Sequence, residues 1–319
     1  MPVFTFVTLM APALIAAGAV WGGVWAVCGL LWMTVLTASL DRLITRTLAT
    51  VEGDEFPAAD RLSLTLAVAH GGLWILVIAA LSGLSGLVTW EKLVVFVAAG
   101  LFMGQVSNSN AHELIHVSTR LPRRIGVLIY VSVLHGHHVS AHLRVHHPYA
   151  ATDRDPNSAR LGEGFWAFVL RALRGEFIAG WRAEDQHRCR AQTAPPMWNH
   201  PYLGYVLGGL FFISAAYALA GLRGLIAYLG IALYAQLQLL LSDYVQHYGL
   251  RRASTQAGKP EPIGPHHSWN APKWYSCAMM LNAPRHSDHH MRPARAFPAL
   301  DITPDTMPIL PHSLPVMAV

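Results

Sequence analysis

An all-α, polytopic membrane fold with a histidine-rich region at one membrane face is what this 319-residue sequence predicts, on three observations. Hydrophobic residues make up 53% and charged residues only 13%, where a typical soluble domain has ~25% charged. The run from Phe4 to Leu40 contains no charged residue. Nine of the 18 histidines fall in four tight groups: His112 and His116; His142, His146 and His147; His247; and His286, His289 and His290.

The elements follow from length and punctuation. Phe4–Leu40 is too long for one span of ~20 residues, and Gly22-Gly23 divides it, so spans at 4–20 and 23–40 form a tight hairpin. A single tilted helix over 4–40 is the five-span alternative. Residues 41–62 are polar, with a loop at Gly53-Asp-Glu-Phe-Pro57. Spans three and four cover 63–89 and 91–110. Segment 111–200 holds many of the arginines, and its apolar piece Ile125–Leu134 is too short to cross, reading as interfacial or re-entrant. Spans five and six, 201–222 and 225–246, meet at Arg223-Gly224. Residues 247–319 are polar and proline-rich. With no internal repeat, 1–319 reads as one membrane-embedded unit.

Charge orients the chain. Of the 23 Lys and Arg, all but Lys92 and Arg223 fall in the loops after spans two, four and six, and the positive-inside rule makes that side cytoplasmic, in a bacterial-type inner membrane. The net charge of +5 is therefore a topology signal, and no nucleic-acid partner is expected. Met1–Val20 lacks a basic start, so no cleaved signal is expected. Cys28, Cys189 and Cys277 are scattered without a C-x-x-C pair, which excludes a disulfide framework, a zinc ribbon and a fused iron–sulfur module.

The histidine groups carry the chemistry. On a helix, i, i+3 and i+4 share a face, so His286, His289 and His290 can converge on one point, most simply a metal. A metal uses three or four such ligands, so nine imidazoles ask for two ions; iron, zinc, copper and nickel all suit them. A helix starting at Lys92 reaches His112 after ~30 Å, and one starting at Leu225 reaches His247 after ~33 Å, so both arrive at the membrane rim where the other seven already lie. Glu113, Asp155, Asp243 and Asp288 sit beside or among these histidines and are candidates to hold their second ring nitrogens.

His112-Glu-Leu-Ile-His116, His142-Leu-Arg-Val-His146-His147 followed by Asp155-Pro-Asn-Ser-Ala-Arg-Leu-Gly-Glu163, Tyr244-Val-Gln-His-Tyr-Gly-Leu250 and Arg285-His-Ser-Asp-His-His290, in this order, resemble the membrane-bound alkane hydroxylases. These are non-haem di-iron monooxygenases that take electrons from rubredoxin. The resemblance runs from about Asn108 to Arg295. It implies two iron ions ligated by the nine histidines, O2 and an apolar hydrocarbon as substrates, and a separate rubredoxin-like or ferredoxin-like donor. Two departures, Gln246 where the alkane enzymes usually carry Glu and the wording of the second box, leave open an alkane, a xylene-type alkyl-aromatic or a fatty-acyl chain, the last by desaturation.

Other readings belong to the same residues. His112-Glu113-x-x-His116 alone matches a zinc protease, which would leave at least six histidines without a task. A divalent-metal transporter should place its ligands near the midplane. His135, His137 and His138 are expected to be structural or interfacial, His70 a hydrogen-bonded packing residue, and His187, His200, His266, His267 and His312 surface or loop residues. Trp90, Trp274 and Tyr202 fit an interfacial aromatic belt. Small residues at Ala98-Ala99-Gly100, Gly104, Gly83 and Gly86 are packing contacts or, less often, room for a substrate entering from lipid.

Overall fold

The computed structural model describes residues 1–53, 55–190, 195–255 and 258–317. Asp54, in the expected Gly53–Pro57 loop, lies outside the described residues. Among them there are fourteen α-helices and two π-helical segments, with no strand beyond isolated bridges. The expected all-α class is observed.

The N-terminal hairpin forms where the glycine pair predicts. Helix α1 (Pro2–Trp21) turns at Gly22 and Gly23, both at positive φ (62° and 51°), into α2 (Gly23–Met33) and α3 (Val35–Leu43). These last two bend by 42° where they meet. Gly22 has a second reason to be glycine: an added Cβ would lie 2.5 Å from the Glu91 carboxylate, which accepts a hydrogen bond from the Gly23 amide at 2.6 Å. The turn is thereby tied to the start of the fourth span.

Helix α4 (Pro57–Leu81) begins earlier and ends earlier than the expected 63–89. Pro57 is suited to a first helical turn, where its missing N–H is not needed. Gly83 and Gly86 lie beyond the helix with φ of 96° and 74°, so they shape a turn and leave no room within a span. The next span is α5 (Thr89–Leu101), a π segment (Phe102–Ser107) and α6 (Asn108–His116), a 28-residue helical run that carries both histidines of the first box. Gly100 and Gly104 on it are crossing points. A Cβ there would meet Tyr234 at 2.0 Å and Gln238 at 2.4 Å, which makes this stripe a packing contact.

Helix α11 (Pro201–His247) contains the two segments expected as spans five and six. Straight, its 47 residues would reach ~70 Å, more than twice a hydrocarbon core. It breaks at Ala220 and Gly221, where Gly221 takes φ 59°, three residues before the expected Arg223-Gly224. The Trp74 ring lies 5.3 Å from both Phe212 and Tyr228, residues ~24 Å apart on a straight helix, so the chain reverses at this corner. Helices α1, α4, the α5–α6 run and α11 are each long and apolar enough to cross a membrane, as is the bent α2–α3 pair taken as one.

Outside the spans, α7 (Arg120–Ser132) covers the short apolar piece and buries Ile129, Tyr130 and Val131 while its arginines stay out. Helix α10 (Phe165–Cys189) was not legible as a helix: its buried stripe is Phe168, Ala172, Glu176, Gly180 and Glu184, and two carboxylates in it break the apolar period. Glu184 accepts from Arg144 at 2.6 Å and Ser140 at 2.8 Å, so α10 holds down the strip carrying the second box. Arg285 is fully buried and donates to Leu48 O, Thr50 Oγ1 and Leu300 O, which fixes the last box against the 44–56 segment.

Candidate metal centre

The structure brings all nine box histidines together, in two groups. His112, His116, His142, His147 and His289 place one ring nitrogen each within 4.8 Å of one another; His146, His247, His286 and His290 do the same. The expectation that His286, His289 and His290 share one point is corrected. On α13 (His286–Met291), His286 and His290 join the four-imidazole group and His289 the five. Neighbours on a helix point ~100° apart, so a His-His pair is suited to reach two sites; His146-His147 divides the same way.

Local backbone explains the second box. Residues His142–His146 form a π-helical turn between short helices α8 (His138–Ala141) and α9 (His147–Tyr149). A wider i→i+5 turn brings His142 and His147 to one side, and π turns are frequent at functional sites. Their Nε2 atoms are 3.0 Å apart. The other π segment, Phe102–Ser107, precedes the first box.

The donor chemistry fits metal ions better than hydrogen bonds. Nε2 atoms of His116, His142 and His147 form a triangle with sides of 3.1, 3.0 and 3.1 Å, and His289 Nε2 is 3.2 Å from that of His147. A ring nitrogen carries either one hydrogen or one lone pair, so three cannot all bond to each other. Adjacent imidazoles around an ion at ~2.1 Å would lie about 3 Å apart. In the second group, His286 Nε2 is 3.0 Å from His247 Nε2 and 3.1 Å from His290 Nε2. Burial, reinforced by neighbouring imidazoles, pushes His142, His147, His286, His289 and His290 well below the usual histidine range, keeping their lone pairs free at neutral pH.

Of the four candidate carboxylates, only Asp155 touches a box imidazole among the described residues. Its Oδ2 lies 2.9 Å from His146 Nδ1, leaving His146 Nε2 without a protein partner and turned to the second group. Burial works against the charge of both partners, but their mutual attraction and hydrogen bond prevail, raising His146 and lowering Asp155. This is the arrangement that fixes a ligand's tautomer. Glu113 and Asp288 depart from expectation. Glu113 accepts from the Phe297 amide at 3.0 Å, and Asp288 pairs with Arg295 at 2.9 Å and the Asp301 amide at 3.0 Å, so both brace the backbone around the boxes. Asp243 accepts from Asn157 at 2.8 Å.

The remaining histidines divide. His135 and His137 reach Glu176 Oε1 at 2.7 and 2.9 Å, and His138 reaches Oε2 at 3.3 Å, a buried cluster whose carboxylate composition alone did not reveal. Burial opposes the Glu176 charge, but these imidazoles hold it well below the usual range. His70 is bonded to Ser107 at 3.0 Å and Ser132 at 2.7 Å, as expected of packing. His187 is exposed, whereas His200 and His267, in connecting segments as a loop reading expects, are buried and not at the surface: His200 stacks on Trp181, and His267 contacts Glu261 at 3.0 Å. Tyr202 is likewise buried, its hydroxyl donating to Phe177 O at 2.9 Å, so it is no belt residue.

Apolar helices and a bipartite imidazole cluster define a multi-pass membrane protein with a histidine-rich metal site. The chain belongs to the fatty acid desaturase family, whose model matches residues 88–317. It is 30% identical over 223 residues to alkane 1-monooxygenase 2 of Pseudomonas aeruginosa, covering 70% of this chain and 59% of that one. It is 31% identical over 217 residues to alkane 1-monooxygenase of Ectopseudomonas oleovorans, covering 68% and 53%. To the xylene/toluene monooxygenase hydroxylase component XylM of Pseudomonas putida it is 27% identical over 191 residues, covering 57% and 48%. The chain thus spans between about half and three fifths of these relatives' length.

Proposed function

We propose that this protein, folded as one unit over 1–319, is an O2-dependent hydroxylase of a terminal or side-chain methyl group, working with two iron ions. The nine box histidines would hold them, five at one site and four at the other. The observation that carries this reading is the partition itself, which uses every box histidine once. When bound, iron supplies O2 activation, RCH3 + O2 + 2 e− + 2 H+ giving RCH2OH + H2O, chemistry beyond any side chain. The residues' part is to present imidazole lone pairs, to hold the His146 tautomer through Asp155, and to brace the backbone around the boxes through Arg285 and the Glu113–Phe297 contact. Alkane oxidation is supported by the alkane 1-monooxygenase relatives, and an alkyl-aromatic substrate is a second reading that the XylM match favours.

The histidine-rich face is proposed to be cytoplasmic, from the Lys and Arg distribution, and the protein to reside in an inner membrane. Electrons would come from a separate small iron–sulfur protein docking there, because the three cysteines here are dispersed. Turnover by washed membranes with NADH alone would contradict that part. For the whole reading, metal and product analysis on an alkane and a xylene decides: about two irons per chain with terminal alcohol is expected, while one zinc and no oxygen-dependent product would end it.

A further inference from the structure

A further cluster of metal-type donors stands outside the two groups of box histidines. His135, His137 and Glu176 present one donor atom each within 4.8 Å of one another, and no box histidine is among them. The side chains of His135 and Glu176 are fully buried, while His137 keeps an edge exposed, at 14%. His135 and His137 flank Gly136 on the turn that leaves α7, and Glu176 comes from the buried stripe of α10. Space requires the glycine: a Cβ there would meet Val131 at 2.8 Å and Tyr205 at 3.0 Å. The turn is entered through Leu134 at φ 57°, a left-handed conformation that a residue with a side chain adopts at a cost, and the His135 amide closes it on Tyr130 O at 2.9 Å.

Distance without direction separates this cluster from an ordinary ion pair. His135 Nε2 and His137 Nε2 lie 2.7 and 2.9 Å from the same oxygen, Glu176 Oε1, yet all three atoms are buried without a hydrogen-bond partner among the described residues. A hydrogen on either nitrogen would point past the carboxylate, and three buried polar atoms would go unpaired. A cation among them pairs all three at once. Donors ~2.1 Å from one ion and about a right angle apart stand ~3 Å from each other, close to the spacing here and among the box nitrogens. The second oxygen, Glu176 Oε2, accepts from Asn157 Nδ2 at 2.9 Å and faces His138 Nδ1 at 3.3 Å, the kind of support a ligating carboxylate carries.

We infer that His135, His137 and Glu176 form a third metal site, for a zinc ion, separate from the two iron sites proposed for the boxes. Two imidazoles and one carboxylate are a zinc donor set, and the fourth position falls to water at the exposed edge of His137. Ferrous iron stands below zinc in the affinity order, and three donors hold it less well than four or five, so iron fills the boxes and leaves this site to zinc. Bound there, zinc ties the 135–137 turn to α10, the helix that also holds the strip of the second box through Glu184.

The test is a zinc titration of the full-length protein in detergent, already loaded with iron, with both metals counted per chain after dialysis. About one zinc per chain is expected with the iron content unchanged, and zinc X-ray absorption should show a mixed shell of about two imidazoles and oxygen donors at ~2.0–2.2 Å. Glu176→Gln keeps the shape of the side chain and removes its charge, and should weaken zinc binding by at least about 100-fold with iron retained. His135→Ala combined with His137→Ala should abolish zinc binding. Wild-type protein that binds no zinc, that gains zinc only as it loses iron, or that surrounds its zinc with four imidazoles would overturn the inference whether or not the variants fold. A zinc affinity that Glu176→Gln leaves unchanged would overturn it as well.

Discussion

The two imidazole groups are unequal, and the difference says which one the fold protects. His146, His247, His286 and His290 are all buried, and Asp155 fixes the tautomer of one of them. In the five-membered group, His112, His116 and His147 are half-buried, and no carboxylate contacts any of its rings among the described residues. A closed set of four with a carboxylate behind it resembles a site with no ligand to spare. A more open set of five has one imidazole beyond the usual four. The four-imidazole site is therefore expected to be the less tolerant of loss.

His247→Ala should break this comparison most visibly. His247 is alone at the end of α11, so its removal leaves three ligands and no neighbour to take the place. Metal content should fall to about one ion per chain and turnover by more than about 100-fold, since even losing a supporting partner commonly costs about 10–100-fold. Metal analysis and product formation in correctly inserted protein check it. Asp155→Asn comes next: all nine histidines remain, but the carboxylate charge facing His146 Nδ1 is lost, so affinity for one ion should drop by about 10–100-fold. Titration of the apoprotein reads this directly. His116→Ala leaves four imidazoles in the open group, and metal loss there should be under about 10-fold by the same titration. At the bottom, His187→Ala alters an exposed side chain outside both groups and should change neither metal content nor activity.

Much of this site was legible because the histidines recur at helical spacings, and their meeting at one place, which the helix rise to His112 and His247 predicts, is observed. How they divide was not. Whether His146 and His147 join one group or divide between two depends on the π turn at 142–146, and no residue type there signals it. Glu176 escaped notice because its partners, His135 to His138, lie about 40 residues away and meet it only through the packing of α10. Glu113 and Asp288 were legible as carboxylates near ligands, but sequence adjacency on a helix turns side chains apart, and theirs turn toward backbone amides and arginines. The corner at Gly221 fell three residues from the expected break because left-handed backbone, more than charge, decides where a helix can reverse.

Anaerobic titration of the apoprotein with ferrous iron, followed by metal analysis per chain, decides whether the two imidazole groups hold two ions. Two binding steps are expected in the wild-type protein, saturating near two ions, with the tighter step missing in His247→Ala. Saturation at one ion in the wild-type protein, or an unchanged titration in His247→Ala, would contradict it.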